Sequence, residues 1–216
     1  MQTLGMIHTS PVLIPAFTSL AGELTPEARV FHMVDESLIK NTIADGSMSR
    51  ATARRVYRMI ESAGDAGADV ILVTCSSIGA AVALARPFMD VPVVRIDEAM
   101  AEQAVTLGSR VGVAATLSTT LGPTLDLLEA TAAAAGRSVE LTPCLCEGAF
   151  EAVVAGDTAT HDRLLSAALA DLVTKVDAVV LAQASMARVA DAMPAGAAPI
   201  LSSPRLAMER VRVLMA

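Results

Sequence analysis

The chain has no tryptophan, one tyrosine and four phenylalanines in 216 residues. Proteins that hold nucleic acid stack bases on aromatic rings and line their grooves with cations. So few rings and a formal net charge of −7 argue against a nucleic-acid partner. Long apolar runs are missing too. The hydrophobic fraction is 53%, but it is largely Ala and Val. The longest uncharged apolar stretch, residues 70–85, is interrupted by Thr74, Cys75, Ser76, Ser77 and Gly79. It falls short of the roughly 20 residues that cross a bilayer, so no membrane partner is expected. Residues 1–22 have no basic start ahead of an apolar core, so no signal peptide is expected. Cysteine is scarce and odd in number: Cys75, Cys144 and Cys146. Three thiols without a secretion signal point to reduced cysteines and a cytoplasmic setting. Neither GxGxxG nor GxxxxGK[ST] occurs, so no dinucleotide or nucleoside-triphosphate cofactor is signalled.

What is present is a repeat. Residues 69–79 (DVILVTCSSIG) and 177–187 (DAVVLAQASMA) share one pattern at an offset of 108 positions, half the chain. Each runs from Asp through apolar β-formers and a small residue to one polar residue, Cys75 in the first copy and Gln183 in the second. Two further matches are collinear. An apolar strand ending in His8, Thr9 and Ser10 matches one ending in Thr116, Ser118, Thr119 and Thr120. Pro92-Val93-Val94 matches Pro199-Ile200-Leu201. A unit of this length excludes a solenoid.

Short apolar strands are expected at about 2–7, 29–33, 69–74, 92–96, 110–115, 138–143, 177–182 and 198–201. Helical spacing covers residues 49–64, 77–86, 98–107, 121–136, 161–175 and 204–215. Ser49, Asp97, Thr120 and Asp157 or Thr158 mark helix starts; Gly64, Gly108 and Gly136 mark ends. Strands alternating with such helices mean βαβ units and parallel sheets, an α/β fold. The duplication suggests two lobes with the site between them, residues 1–95 plus 205–216 in the first and 96–204 in the second.

Ligands of open parallel sheets sit beyond the carboxyl ends of the strands. Four polar clusters fall there: His8-Thr9-Ser10, Thr74-Cys75-Ser76-Ser77, Thr116 to Thr120, and Gln183 with Ser185. Hydroxyls and amides without Lys or Arg suit a carboxylate. They also serve as plain helix caps. Cys75, at a strand-to-helix turn, is a candidate base or nucleophile, since a helix N-terminus lowers a thiol pKa. Its bland alternative is a small core residue.

These residues carry a resemblance. The strand with its TCSS turn, PVVRIDEAM at 92–100, RVGVAATLSTTLGP at 110–123 and VVLAQASM at 179–186 resemble the aspartate/glutamate/hydantoin racemase superfamily over nearly the whole chain. The resemblance implies two α/β lobes related by a pseudo-twofold axis, with the C-terminal helix returning to the first. It also implies catalysis without cofactor and a carboxylate held by the threonine loop (Thr116, Ser118, Thr119, Thr120). One cysteine per lobe would stand on opposite faces of a carbon beside a carboxylate. A small carboxylic-acid substrate and a homodimer follow as further implications.

The chain departs from that pattern at Gln183, where the second family cysteine belongs. A carboxamide exchanges no proton usable near neutral pH, so a two-thiol proton transfer is unavailable. Candidate suppliers of a second proton are Cys144, Cys146, Glu147, Asp35 and Glu36, although such carboxyls more often sit at helix starts. Cys144-x-Cys146 finds no companion ligands spaced for a metal, and none is assigned. His8 is a candidate carboxylate ligand. Three readings follow: a racemase or epimerase using Cys75 with a non-cysteine partner; a one-thiol decarboxylase, lyase or cis–trans isomerase of a dicarboxylic acid; and a carboxylate-binding protein without catalysis.

Overall fold

Eight short strands form two separate parallel sheets of four in the computed structural model, which describes residues 1–190 and 198–216. The chain divides into two units, Met1–Glu98 with Pro204–Ala216, and Ala99–Ser203. The first unit holds β1 (Thr3–His8), β2 (Arg29–Val34), β3 (Val70–Val73) and β4 (Val93–Arg95), in the order β2-β1-β3-β4. The second holds β5 (Arg110–Ala115), β6 (Glu140–Leu145), β7 (Ala178–Leu181) and β8 (Ile200–Ser202), in the order β6-β5-β7-β8. The order is the same in both, strand for strand, so the sequence repeat is a repeat of topology.

Burial follows position in the sheet for every strand but β4, an edge strand that is buried throughout. The inner strands β1, β3 and β7 are buried at every residue, and β5 at all but its first. A parallel strand covered on both faces needs an unbroken apolar run, as VILV and AVVL provide. The edge strands β2 and β6 are mixed and partly exposed.

Ten helices cover the sheets among the described residues. They are α1 (Ile14–Leu24), α2 (Glu36–Ala44), α3 (Arg50–Asp65), α4 (Gly79–Ala85), α5 (Glu98–Leu107), α6 (Ser118–Ala134), α7 (Ala149–Val154), α8 (Thr158–Leu172), α9 (Ala187–Ala190) and α10 (Ser203–Leu214). None is long and apolar enough to cross a membrane. In the first unit, Ile7, Ile71, Val73 and Val93 of the sheet pack against Leu38, Val56, Ile60, Val82 and Ala85. In the second, Ala114, Val179 and Leu181 pack against Leu165, Leu169 and Leu172 of α8.

The sequence marks four of these helices weakly or not at all: α1, α2, α7 and α9. α1 buries only Phe17 and Ala21, and α2 only Leu38 and Thr42, stripes too thin to stand out as a period. Two boundaries also move. α6 begins at Ser118 rather than after Thr120, because the amides of Thr120 and Leu121 already bond the Leu117 carbonyl. α3 runs through Gly64 to Asp65, and the left-handed turn falls on Gly67 at φ +85°. Ser49 and Asp157 do cap α3 and α8, through hydroxyl and carboxylate bonds to the amides of Thr52 and Thr160.

Candidate functional site

Cys75 stands two residues beyond the end of β3, after Thr74, and opens a 3₁₀ turn, Ser76–Ile78, that runs into α4. The strand is buried on both faces and cannot continue into the polar TCSS segment, so the chain turns and aims successive amides back at the sulfur. The Thr9 and Ser77 hydroxyls and the Ser77 and Ile78 amides all hydrogen-bond to it. Each of these bonds favours the thiolate, yet burial outweighs them and pushes the thiol up. From the sequence, a helix N-terminus is expected to lower this pKa; desolvation reverses the sign. Cys75 therefore rests protonated inside a cradle built for its anion.

The other first-unit candidates support this turn. Thr9, Thr74, Ser76 and Ser77 are all buried. Ser10 accepts a bond from the Val12 amide and caps the turn Pro11–Leu13, as the bland reading of its cluster supposed. His8 is fully buried, with Nδ1 2.8 Å from Thr74 Oγ1 and Nε2 2.9 Å from His32 Nδ1. His32 Nε2 in turn lies 3.1 Å from Thr18 Oγ1. When the Thr74 hydroxyl donates to the Ile7 carbonyl at 3.1 Å, His8 must donate through Nδ1 and accept from His32. The chain of bonds then has one consistent direction with both rings neutral. Burial, and then the neighbouring His32, lower His8 to about 4, and burial lowers His32 as well. With both nitrogens bonded, His8 offers nothing to a substrate carboxylate here; it positions Thr74.

In the second unit Gln183 follows β7 as Cys75 follows β3. Its side chain clasps Thr116: Oε1 accepts from the Thr116 amide at 2.6 Å, and Nε2 donates to the Thr116 hydroxyl at 2.8 Å. One carboxamide thus satisfies an amide and a hydroxyl at the end of β5. Thr119 and Thr120 are buried, whereas Ser118 and Ser185 are exposed. The α6 N-terminus has Leu117 at its cap position and no side-chain cap. Beside those uncapped amides, the buried Thr119 Oγ1 has no hydrogen-bond partner among the described residues. An unsatisfied buried hydroxyl costs about 1–3 kcal/mol, which an anion accepting from it would offset.

The reserve proton donors are a bonded helix cap, exposed carboxylates and a neighbouring pair of thiols. Asp35 caps α2 and bonds Ser37 and Arg55. Burial works to raise its pKa, but the Ser37 and Arg55 contacts prevail and hold the carboxyl below its ordinary range. It is an ionised cap and no acid. Glu36 and Glu147 are exposed. Cys146 is buried and pushed up to about 12 by burial and then by Cys144. Among the described residues no group of three or more His, Cys, Asp or Glu could hold a metal ion.

One pairing is not foreseen from the sequence, where Asp97 is read only as a helix start and Arg95 is given no role. Arg95 and Asp97, at the end of β4, form a bidentate ion pair with both bonds at 2.9 Å, and their side chains are only 8% and 0% exposed. The guanidinium lies across Gly79, the first residue of α4, where a Cβ would stand 2.5 Å from it. Gly79 is therefore glycine to admit the arginine. The available signal was VVRID itself: two opposite charges two apart, inside an apolar run, must pair if buried.

Comparison with curated proteins by sequence finds no match. Solved structures do match in fold. A glutamate racemase isoform from Bacillus anthracis aligns at a TM-score of 0.75 and 15% identity, covering 99% of this chain and 81% of that one. Glutamate racemase from Thermus thermophilus aligns at 0.73 and 21%, covering 99% and 80%. Allantoin racemase from Klebsiella pneumoniae aligns at 0.70 and 15%, covering 100% and 88%. At such identities these alignments establish the architecture. The model of the Asp/Glu/Hydantoin racemase family matches residues 7–211, nearly the whole length. With its two four-stranded parallel sheets and this match, the chain belongs to the Asp/Glu/hydantoin racemase family.

Proposed function

We propose that this protein is a cofactor-independent isomerase of the racemase or epimerase type, acting on the carbon beside the carboxylate of a small acid. Cys75 is the thiol that moves the proton. The observation that carries the reading is the set of four donors around its sulfur. A cysteine kept only for packing needs no such donors. Burial holds the proton on while the cradle stabilises the sulfur once the proton leaves, so one group can act as acid and as base. In the second unit, the uncapped α6 N-terminus and the orphaned Thr119 hydroxyl suit a carboxylate, with Thr116, Ser118 and Thr120 on the same loop. Gln183 orients Thr116 and transfers no proton.

The test is exchange of the α-hydrogen in D₂O, with aspartate, glutamate and small hydroxy and dicarboxylic acids as candidates. Wild type is expected to wash deuterium into unreacted substrate. Cys75→Ser is expected to lose about 10²-fold or more in turnover, the usual weight of a positioned acid–base group. Full turnover by Cys75→Ser on an identified substrate would overturn the assignment. Gln183, at the repeat position where a second thiol could stand, favours one further reading: a one-thiol lyase or decarboxylase, which places deuterium in product only.

A further inference from the structure

We propose that Cys144 and Cys146 form a modification site, a Cys-x-Cys dithiol that low-molecular-weight disulfides oxidise reversibly to an intramolecular disulfide. Cys144 lies in the edge strand β6 opposite Ala114, and Cys146 follows the strand directly. Side chains two apart share one face of a strand. Both sulfurs accordingly enter the apolar cluster of α8 and β7, and the two thiols hydrogen-bond to each other. Two residues of extended chain span about 6.6 Å. That lies near the upper end of the roughly 4.4–6.8 Å between Cα atoms joined by a disulfide. On extended chain the two Cβ atoms stand about equally far apart, whereas a disulfide holds them about 3.5–4.5 Å apart. Closing the bond therefore requires residues 144–146 to leave the extended conformation, and a bond closed under strain is readily reduced again.

The two thiols differ in readiness. Cys144 is half-buried; Cys146 is 5% exposed, and the charge of an ionised Cys144 opposes its ionisation. Cys144, the more accessible sulfur, therefore reacts first: with its proton passed to water, it attacks one sulfur of the external disulfide. That S–S bond breaks, one thiolate leaves, and Cys144 carries the other half as a mixed disulfide. The charge on Cys144 is now gone. Cys146 gives its proton to water, attacks the Cys144 sulfur and expels the second thiolate. Two protein thiols are oxidised, one external disulfide is reduced, and the two released thiolates recover the two protons.

The site reaches the threonine loop through one bond. The Cys146 amide donates to the Ala115 carbonyl at 2.7 Å, and Ala115 precedes the Thr116 that Gln183 clasps. Contraction at 144–146 pulls on this bond.

The experiment treats the full chain with oxidised glutathione and follows intact mass, free thiols and hydrogen exchange. Wild type is expected to lose two hydrogens without retaining an adduct, with peptide mapping placing the bond between Cys144 and Cys146. Cys146→Ser should trap a stable glutathione adduct at Cys144. Cys144→Ser should react at position 146 at least about tenfold more slowly, because the remaining thiol is buried. Amides of residues 113–120 should exchange faster once the bond has formed. A lasting adduct on wild-type Cys144, or a bond involving Cys75 or a second chain, would overturn the site. Unchanged exchange at 113–120 would overturn its link to the loop.

Discussion

His8 lies under the strand ends with both ring nitrogens bonded, so charging it would break a bond as well as bury a cation. Its pKa falls from about 6.5 in the unfolded chain to about 4 in the fold. A depressed pKa means stability that is fully present above about pH 6.5 and is lost as pH falls through about 4. The difference amounts to about 3 kcal/mol. Wild type should show urea midpoints falling steeply across that window. His8→Gln should flatten the fall and leave the smaller part due to His32, whose pKa burial also lowers. Unchanged steepness in the variant would remove His8 as the cause. Cys75 obeys the same rule with the opposite sign, since burial favours its protonated, neutral form. No sequence motif contains this information, because the sign depends on how much protein surrounds the group.

Among the elements, the third residues of β1 and β5 are both glycine, and both are crowded. A Cβ at Gly5 would stand 2.9 Å from the Phe31 ring, and one at Gly112 would stand 2.8 Å from the Leu172 side chain. The two units thus solve one problem alike: the inner strand lets a bulky neighbour pass over its backbone. Gly112→Ala should cost about 1–3 kcal/mol by overpacking, read as a lower urea midpoint with an unchanged slope. Leu172→Ala in the same chain should recover part of it. The strands were legible in the sequence because an inner parallel strand must be continuously apolar. α1 and α2 were far less so, for each is held by two buried side chains and the sheet supplies the rest of its stability.

For the molecule as a whole, the first unit is discontinuous: residues 204–216 belong with residues 1–98. α10 contributes the fully buried Ala207, Met208 and Val211. Arg205 adds a bidentate pair with Glu23, but both side chains are about half exposed. Exposed pairs contribute about 0–1 kcal/mol, whereas truncating a buried Met costs about 2–5 kcal/mol. Met208→Ala should therefore lower the thermal midpoint by many degrees, and Arg205→Ala should leave it nearly unmoved. The reverse order would mean that charge, and not packing, secures the chain end.

By itself the sequence determined the doubled α/β plan, the strand positions, the thiol at one strand end and the carboxamide at its counterpart, and the family resemblance. These are local: apolar runs, turn residues and a spacing that any reader of the chain can count. Tertiary structure decided the rest. The Thr116–Gln183 clasp joins residues 67 apart, and the Thr74–His8 bond joins residues 66 apart. The protonation of Cys75 and His8, the pairing of Arg95 with Asp97 over Gly79, and the unpartnered Thr119 hydroxyl arise only when distant segments enclose a group and exclude water. Enclosure sets the price of charge, and linear order does not encode it.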